Sequence, residues 1–105
     1  MQVKILPPAR ERLIGIWQYT ADTWGEEQAN EYVSGLISAL DKIAAKRDIW
    51  RSVKEPRFSG LYFTRYKHHY IFFKVISGNQ IGVVSILHEN MDLPSRISDD
   101  IDEAE

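Results

Sequence analysis

Histidine is the residue type in this chain best suited to acid–base or metal chemistry, and the chain has three. His68 and His69 are adjacent, and neighbours on a strand point to opposite faces of a sheet, so they cannot share one metal ion. His88 lies far from both in sequence. The chain has no cysteine, no glycine-rich phosphate loop and no spacing that predicts a Ser-His-Asp arrangement. We therefore expect no metal site and no cofactor.

The basic middle of the chain is the other candidate for chemistry, because residues 42–74 carry nine Lys or Arg against two acidic residues. These side chains could gather with His88 on one side of a sheet and bind phosphate groups. His88 would be the only good acid or base for phosphate cleavage. The alternative is a solvated loop and strand edge without a ligand. The basic residues concerned are Arg51, Lys54, Arg57, Arg65 and Lys67.

Length and composition narrow the class of protein. A chain of 105 residues fits one domain, and its net charge of −2 argues against general binding of phosphate backbones. The absence of cysteine suits a reducing cytoplasm, and no apolar run is long enough for a signal peptide or a membrane span. We expect a cytoplasmic protein with a single domain over residues 1–97 and a mobile acidic tail over residues 98–105.

Two helices are predicted after a short strand at Val3 to Ile5, which Pro7 and Pro8 end. The first helix runs to Trp24, with an apolar stripe at Leu13, Trp17, Thr20 and Trp24. The second begins at Glu26 after Gly25. Its core stripe contains Ala29, Tyr32, Val33, Leu36, Ile37, Leu40, Ile43 and Ala44. Because the connection is so short, the two helices must pack as an antiparallel hairpin.

Three strands are predicted at about residues 61–66, 69–77 and 80–88, with a tight turn at Gly78-Asn79. Successive strand positions are apolar on both faces, which is typical of a sheet covered on both sides. The helical hairpin can cover only one side. The other side is covered either by a partner or by the chain itself, through Trp50, Phe58, Leu93 and Ile97.

The amino-acid sequence resembles those of the ParE toxins of the RelE/ParE superfamily over about residues 2–97. The matching segments are Pro8-Ala9-Arg10, Ile16-Trp17, Trp24-Gly25, Gly60-Leu61, the strand from Tyr66 to Phe73, Ile86-Leu87-His88 and Met91-Asp92-Leu93-Pro94. The resemblance implies an α+β, two-layer fold with the order β-α-α-β-β-β: an N-terminal strand, an antiparallel helical hairpin and a three-stranded antiparallel meander.

The resemblance implies a toxin of a type II toxin–antitoxin system that inhibits DNA gyrase, through its GyrA subunit, by stabilising the cleavage complex. A ParD-like antitoxin would neutralise it. The expected antitoxin contacts are apolar, and plain core packing is the alternative role for each. They are Leu13, Trp17, Leu36, Leu40 and Ile86.

The C-terminal end of the family is implicated in poisoning the target. The corresponding contacts here would be His88, Met91, Leu93 and Arg96. Whether the free toxin forms a homodimer stays open. No sequence-specific binding of nucleic acid and no membrane contact is expected.

The sequence leaves two alternative functions open. A ribosome-dependent endoribonuclease of the RelE type would use Arg57, Arg65, Lys67 and His88. However, His88 is followed by Glu89-Asn90-Met91-Asp92, where nucleases of this group tend to carry basic residues and a tyrosine, so the resemblance favours a toxin that is not an enzyme. A non-toxic interaction module is the third possibility.

Overall fold

A five-stranded sheet with helices on both faces makes up the computed structural model, which describes residues 2–104. Short 3-10 turns at Arg47–Ile49 and Pro56–Phe58 flank the second strand. None of the helices in this range is long and apolar enough to cross a bilayer. The elements are β1 (Gln2–Ile5), α1 (Pro7–Trp24), α2 (Glu26–Ala45), β2 (Arg51–Ser52), β3 (Tyr62–Tyr66), β4 (His69–Ser77), β5 (Gln80–His88) and α3 (Leu93–Ala104).

The sheet has the order β1-β5-β4-β3-β2. β3, β4 and β5 form the predicted antiparallel meander, and Ser77 pairs with Gln80 across the Gly78-Asn79 turn. β1 lies beside β5 and runs parallel to it. The predicted α+β class and the β-α-α-β-β-β order are confirmed. The structure adds the two-residue edge strand β2 and the third helix α3.

The helical hairpin turns at a single residue, Gly25, whose φ of 100° is a conformation that L side chains rarely adopt. Pro7 and Pro8 occupy the first turn of α1, where their missing N–H groups cost nothing. Glu26 and Glu27 lie in the first turn of α2, where negative charge is favourable. The hairpin therefore begins and ends where the sequence predicts.

The main core lies between the hairpin and the sheet. Leu36 and Leu40 of α2 are buried against Ile71 and Phe73 of β4. Trp50 joins this core and donates a hydrogen bond from Nε1 to the Ile43 carbonyl oxygen at 2.7 Å. The sequence allowed Trp50 to cover the opposite face, which is wrong because this bond holds its ring on the hairpin side.

The opposite face of the sheet is covered by the chain itself. Phe58 and Ile97 pack against Phe72, Val84 and Leu87, as the sequence allowed, and Leu93 lies at the edge of this second cluster. The two-layer description is therefore incomplete, because α3 and the loop around Phe58 form a partial third layer.

Helix α3 also corrects the expectation of a mobile tail. Residues 98–104 continue the helix; Glu105 lies outside the described residues. The physical reason is that Leu93, Ile97 and Ile101, spaced four apart, form one apolar stripe that packs on the sheet.

One buried carboxylate fixes α3 to the rest of the molecule. Asp100 is only 4% exposed and accepts hydrogen bonds from Arg12 Nε at 3.0 Å and Nη2 at 3.1 Å. The Ser85 hydroxyl donates a short third bond to Asp100. These bonds tie α3 to both α1 and β5, so the carboxylate is buried with its charge compensated.

Candidate functional surfaces

A cluster of histidine and tyrosine side chains lies where β3 meets β4 and β5 ends. His69 and His88 are paired across the two strands, with ring centroids 5.2 Å apart. The Tyr32 hydroxyl of α2 lies 2.7 Å from His69 Nδ1. The pKa of His69 is lowered to about 4, chiefly by burial and then by the charges of the nearby His88 and His68. His69 is therefore a neutral imidazole near neutral pH.

Tyr32 stands at the centre of this aromatic group. Its ring meets Tyr66 edge-on with centroids 5.6 Å apart, and the Lys67 ammonium lies over both rings. Burial is the largest cause of a raised pKa for Tyr32. The Tyr66 hydroxyl fills the space above Gly35, where a Cβ atom would overlap it. The cluster is thus tightly packed rather than open to a ligand.

An exposed charge network borders the cluster. Arg65 donates two hydrogen bonds to the Glu89 carboxylate, at 3.1 and 3.0 Å, and a third to the Lys67 carbonyl oxygen. His68 Nδ1 lies 2.9 Å from the same carboxylate. The pKa of Glu89 is lowered first by the His68 hydrogen bond and then by the charge of Arg65. Glu89 therefore neutralises Arg65, one of the basic residues that the sequence suggested for phosphate binding.

The four residues suggested for nuclease chemistry do not converge. Arg57 pairs with Glu55 before β3 begins, whereas Arg65 and Lys67 lie at the other end of that strand, roughly 15 Å away at the usual rise per residue. His88 accepts a hydrogen bond from the Asn90 backbone. Within residues 2–104, no three His, Asp or Glu side chains are grouped so as to hold a metal ion.

Most of the apolar residues suggested as antitoxin contacts belong to the core. Leu36 is fully buried, Leu13 is 7% exposed, and Leu40 and Ile86 are almost inaccessible. The expectation that these four form a contact surface is wrong, because each packs between the hairpin and the sheet. Trp17 differs: it is half-buried, and its Nε1 donates a hydrogen bond to Asn30 Oδ1 at 2.8 Å across the hairpin.

The outer face of the hairpin carries apolar side chains that nothing in residues 2–104 covers. Ile14 is 62% exposed, Trp24 66% and Ile37 44%. Ile14, Trp17 and Trp24 share one side of α1 by their spacing, and Ile37 lies two turns from Asn30 on α2. We call these four residues, Ile14, Trp17, Trp24 and Ile37, the hairpin patch.

Sequence reasoning placed Trp24 and Ile37 in the core stripes, which is wrong. Ile37 lies about 100° around the helix from Leu36 and so turns away from the sheet. The predicted stripe omitted Ile14. Its position outside the core spacing could have indicated an exposed apolar surface, because it is a large apolar residue that does not face the core.

The four residues suggested as target contacts lie along one segment but on different surfaces. His88 and Met91 line a cleft of about 230 Å³ beside α1. Leu93 lines a separate apolar cleft of about 370 Å³ on the α3 side of the sheet. Arg96 is exposed on α3. The structure therefore brings His88 and Met91 together in one cleft, and Met91 and Leu93 both pack against the second apolar cluster.

Comparison with known proteins gives the same family throughout. Residues 3–93 match the family model described as the ParE toxin of the type II toxin–antitoxin system, parDE. The chain is 36% identical to Toxin ParE of Escherichia coli over 91 residues, which cover 87% of each chain. It is 37% identical to Toxin ParE1 of Mycobacterium tuberculosis (strain H37Rv) over 87 residues, or 83% of this chain and 88% of the relative.

A solved structure has the same fold. It is described as a chromosomal ParDE TA system from P. aeruginosa, and one of its chains superposes with a TM-score of 0.71 at 20% sequence identity. The superposition covers 84% of this chain and 95% of that one.

The fold and the matches define a toxin component of a type II toxin–antitoxin system. Within that class, the chain belongs to the ParE toxin family.

Proposed function

We propose that this toxin inhibits DNA gyrase by binding the enzyme and stabilising its cleavage complex, without catalysis of its own. Family membership supports the target, and the dispersal of the nuclease candidates supports a binding mechanism. Arg65 is engaged by Glu89, Lys67 lies over two tyrosine rings, and Arg57 is at the other end of β3. Because gyrase acts in the bacterial cytoplasm, we propose that the toxin acts there too. The ribosome, the target in the alternative function considered below, is in the same compartment.

The segment that follows β5 is our candidate for contact with the GyrA subunit. Met91 is half-buried and Arg96 is exposed on α3, while His88 lines a cleft beside α1. A partner approaching this end of the sheet would meet His88 and Met91 in one cleft. Leu93 would contribute indirectly, because it packs at the edge of the second cluster.

An antitoxin of the ParD kind neutralises the toxin in this proposal, and the hairpin patch is where it docks. The single observation that carries this assignment is the exposure of Ile14, Trp24 and Ile37 on the hairpin, beside the half-buried Trp17. An apolar surface of this kind is typical of a protein interface. It also suits the helix-in-groove mode of recognition, in which an amphipathic helix lays its apolar side between two helices.

The test of the gyrase assignment uses the purified toxin with gyrase and DNA. The toxin should reduce supercoiling and raise the amount of cleaved DNA held by gyrase, and Arg96→Glu with Met91→Ser should weaken both effects. Lys46→Glu, on an exposed residue just beyond α2, is the matched control. Unchanged supercoiling and unchanged cleavage at micromolar toxin would reject the assignment.

One observation favours a second function, a ribosome-dependent endoribonuclease. Of the four suggested residues, Lys67 and His88 lie at the same end of the sheet, because Lys67 follows β3 and His88 at the end of β5 pairs with His69 at the start of β4. Messenger RNA cleavage on translating ribosomes that is lost in His88→Ala would establish it. Absence of growth arrest on induced expression would instead favour a non-toxic interaction module.

A further inference from the structure

The α3 side of the sheet carries an apolar cleft that neither α3 nor the preceding loop fills. It has a volume of about 370 Å³, enough for one or two large side chains, and it is open to solvent. Its walls come from the loop before β3, from β3 and β4, and from the start of α3. Its apolar lining includes Val53, Phe58, Phe63, Tyr70, Leu93 and Pro94, and the charged Lys54 and Glu55 also line it.

The cleft opens onto the free edge of the sheet. β2 is the last strand in the order and consists of two residues, Arg51 and Ser52, both exposed. A second depression, lined by Arg51, Ser52, Lys54 and Phe63, leads from that edge to the cleft. An extended segment lying along β2 could therefore place a side chain beside Phe63.

The rim of the cleft carries two basic side chains outside any of the ion pairs in residues 2–104. Arg51 and Lys54 are exposed, and neither makes an ion pair with any residue between 2 and 104. Arg57 pairs with Glu55 and Arg65 with Glu89, and the remaining acidic residue nearby, Asp48, lines a neighbouring depression with Arg51 without forming an ion pair with it. The protein as a whole is acidic, so this free positive pair is a local feature that an acidic partner would complement.

The shape of the site favours a peptide over single-stranded nucleic acid. Bases stack on open aromatic faces, but the Arg65 guanidinium already lies 5.5 Å from the centre of the Tyr70 ring. Phe63 meets Tyr70 edge-on, with centroids 6.1 Å apart. The result is a concave apolar cleft instead of a flat stacking platform.

We propose that this cleft binds an extended, acidic segment of a protein partner, which inserts one large apolar side chain next to Phe63 and pairs its carboxylates with Arg51 and Lys54. The site is separate from the hairpin patch, which lies on the other side of the sheet, and it does not depend on the gyrase assignment.

The test selects ligands for the intact protein from a random library of twelve-residue peptides and measures the affinity of the enriched peptides by fluorescence anisotropy. We expect enriched peptides that combine Asp or Glu with a Leu, Ile, Phe or Trp. Replacing that apolar residue in the peptide by Ser should weaken binding at least about tenfold, because it empties the cleft. This peptide variant leaves the fold of the protein untouched.

The protein variants test the rim. Arg51→Glu with Lys54→Glu should weaken binding about tenfold, and added salt should reduce the difference. Lys42→Glu with Lys46→Glu is the matched control, because it reverses two exposed charges on and just after α2 and should change affinity less than about twofold. A twelve-nucleotide single-stranded DNA serves as the competing probe.

Three results would overturn the proposal. The first is a selection that enriches no peptide, or only peptides without acidic residues. The second is binding that the Arg51 and Lys54 reversals leave unchanged. The third is tighter binding of the oligonucleotide than of any peptide at the same surface, which would assign the cleft to nucleic acid.

Discussion

Arg12 of α1 and Asp100 of α3, 88 positions apart in sequence, form a two-pronged ion pair that is largely shielded from solvent. The Ser85 hydroxyl of β5 donates a further hydrogen bond to the same carboxylate. This pair connects the hairpin, the sheet and the third helix at one point. It explains why the acidic C-terminal segment is packed in spite of its few apolar residues.

Removal of the Asp100 carboxylate should destabilise the protein and release α3. In Asp100→Ala, Arg12 is left as a partly buried cation without its partner, so we expect a loss of about 2–4 kcal/mol in the free energy of unfolding. Urea unfolding measures the loss, and faster hydrogen exchange in residues 93–104 shows that α3 detaches. Asp99→Ala, on an exposed neighbour, should leave both quantities nearly unchanged.

Gly35 should be required for packing of the aromatic cluster. In a helix, alanine is normally more stabilising than glycine. At Gly35, however, a Cβ atom would overlap the Tyr66 hydroxyl, so Gly35→Ala should lower the free energy of unfolding by about 1–2 kcal/mol. Gly15→Ala is the matched control, because a Cβ at Gly15 meets nothing and should stabilise α1 by up to about 1 kcal/mol.

A second substitution separates packing from other causes. Tyr66→Phe removes the overlapping oxygen, so the double variant Gly35→Ala with Tyr66→Phe should recover most of the lost stability in thermal unfolding. Equal losses at Gly35 and Gly15, or no recovery in the double variant, would contradict this packing account.

Protonation of His69 should make the fold sensitive to acid. Its pKa is about 4 in the folded protein against 6.5 ordinarily, so the unfolded chain binds the proton more readily between these values. Stability conferred by the neutral ring is therefore complete above pH 6.5 and is lost as pH falls towards 4. The full effect is about 2–3 kcal/mol.

The measurement compares urea unfolding of the wild type and His69→Gln at pH 7 and at pH 4.5. The glutamine amide can still bond to Tyr32 but does not titrate, so the variant should lose less stability than the wild type over this range. Glu89, whose pKa is also lowered, titrates in both proteins and cancels in the comparison. Identical pH dependence of the two proteins would show that His69 is not the group responsible.

Charge on the hairpin patch should abolish neutralisation without unfolding the toxin. Ile14→Glu with Ile37→Lys places two polar groups on residues that are already largely exposed, so the thermal midpoint should change little. Affinity for the antitoxin should fall at least about tenfold. In cells that express both proteins, this variant should arrest growth where the wild type does not.

The control for that experiment is Val75→Lys, an exposed apolar position on β4 away from the hairpin patch. It should remain neutralised. If the patch variant is neutralised as well as Val75→Lys, the antitoxin binds elsewhere.

The regular elements of the fold were predictable because their patterns are strong. The alternation in β3 to β5, the Gly78-Asn79 turn and the helical stripe of α2 each predict an element within a residue or two of its observed ends. α3 was missed because its apolar stripe of Leu93, Ile97 and Ile101 is short and the rest of the segment is mostly polar or acidic. Its burial depends on Asp100 meeting Arg12, a long-range pairing that no local pattern reveals.

The functional surfaces were less predictable than the fold. A stripe at helical spacing identifies a core-facing side, so Leu13 and Leu36 were correctly recognised as apolar positions but wrongly offered as partner contacts. Their exposed neighbours Ile14 and Ile37 differ by one residue in sequence and by a large rotation around the helix axis. Only the packing of the hairpin on the sheet decides which side is left uncovered.

The most direct test of gyrase as the target is the amount of cleaved DNA that gyrase holds when the purified toxin is added at micromolar concentration. A gyrase poison should raise this amount in proportion to toxin bound, and prior addition of the antitoxin should abolish the rise. If the purified toxin caused no increase in cleaved DNA, while the same protein still arrested growth when expressed in cells, gyrase would be contradicted as the target.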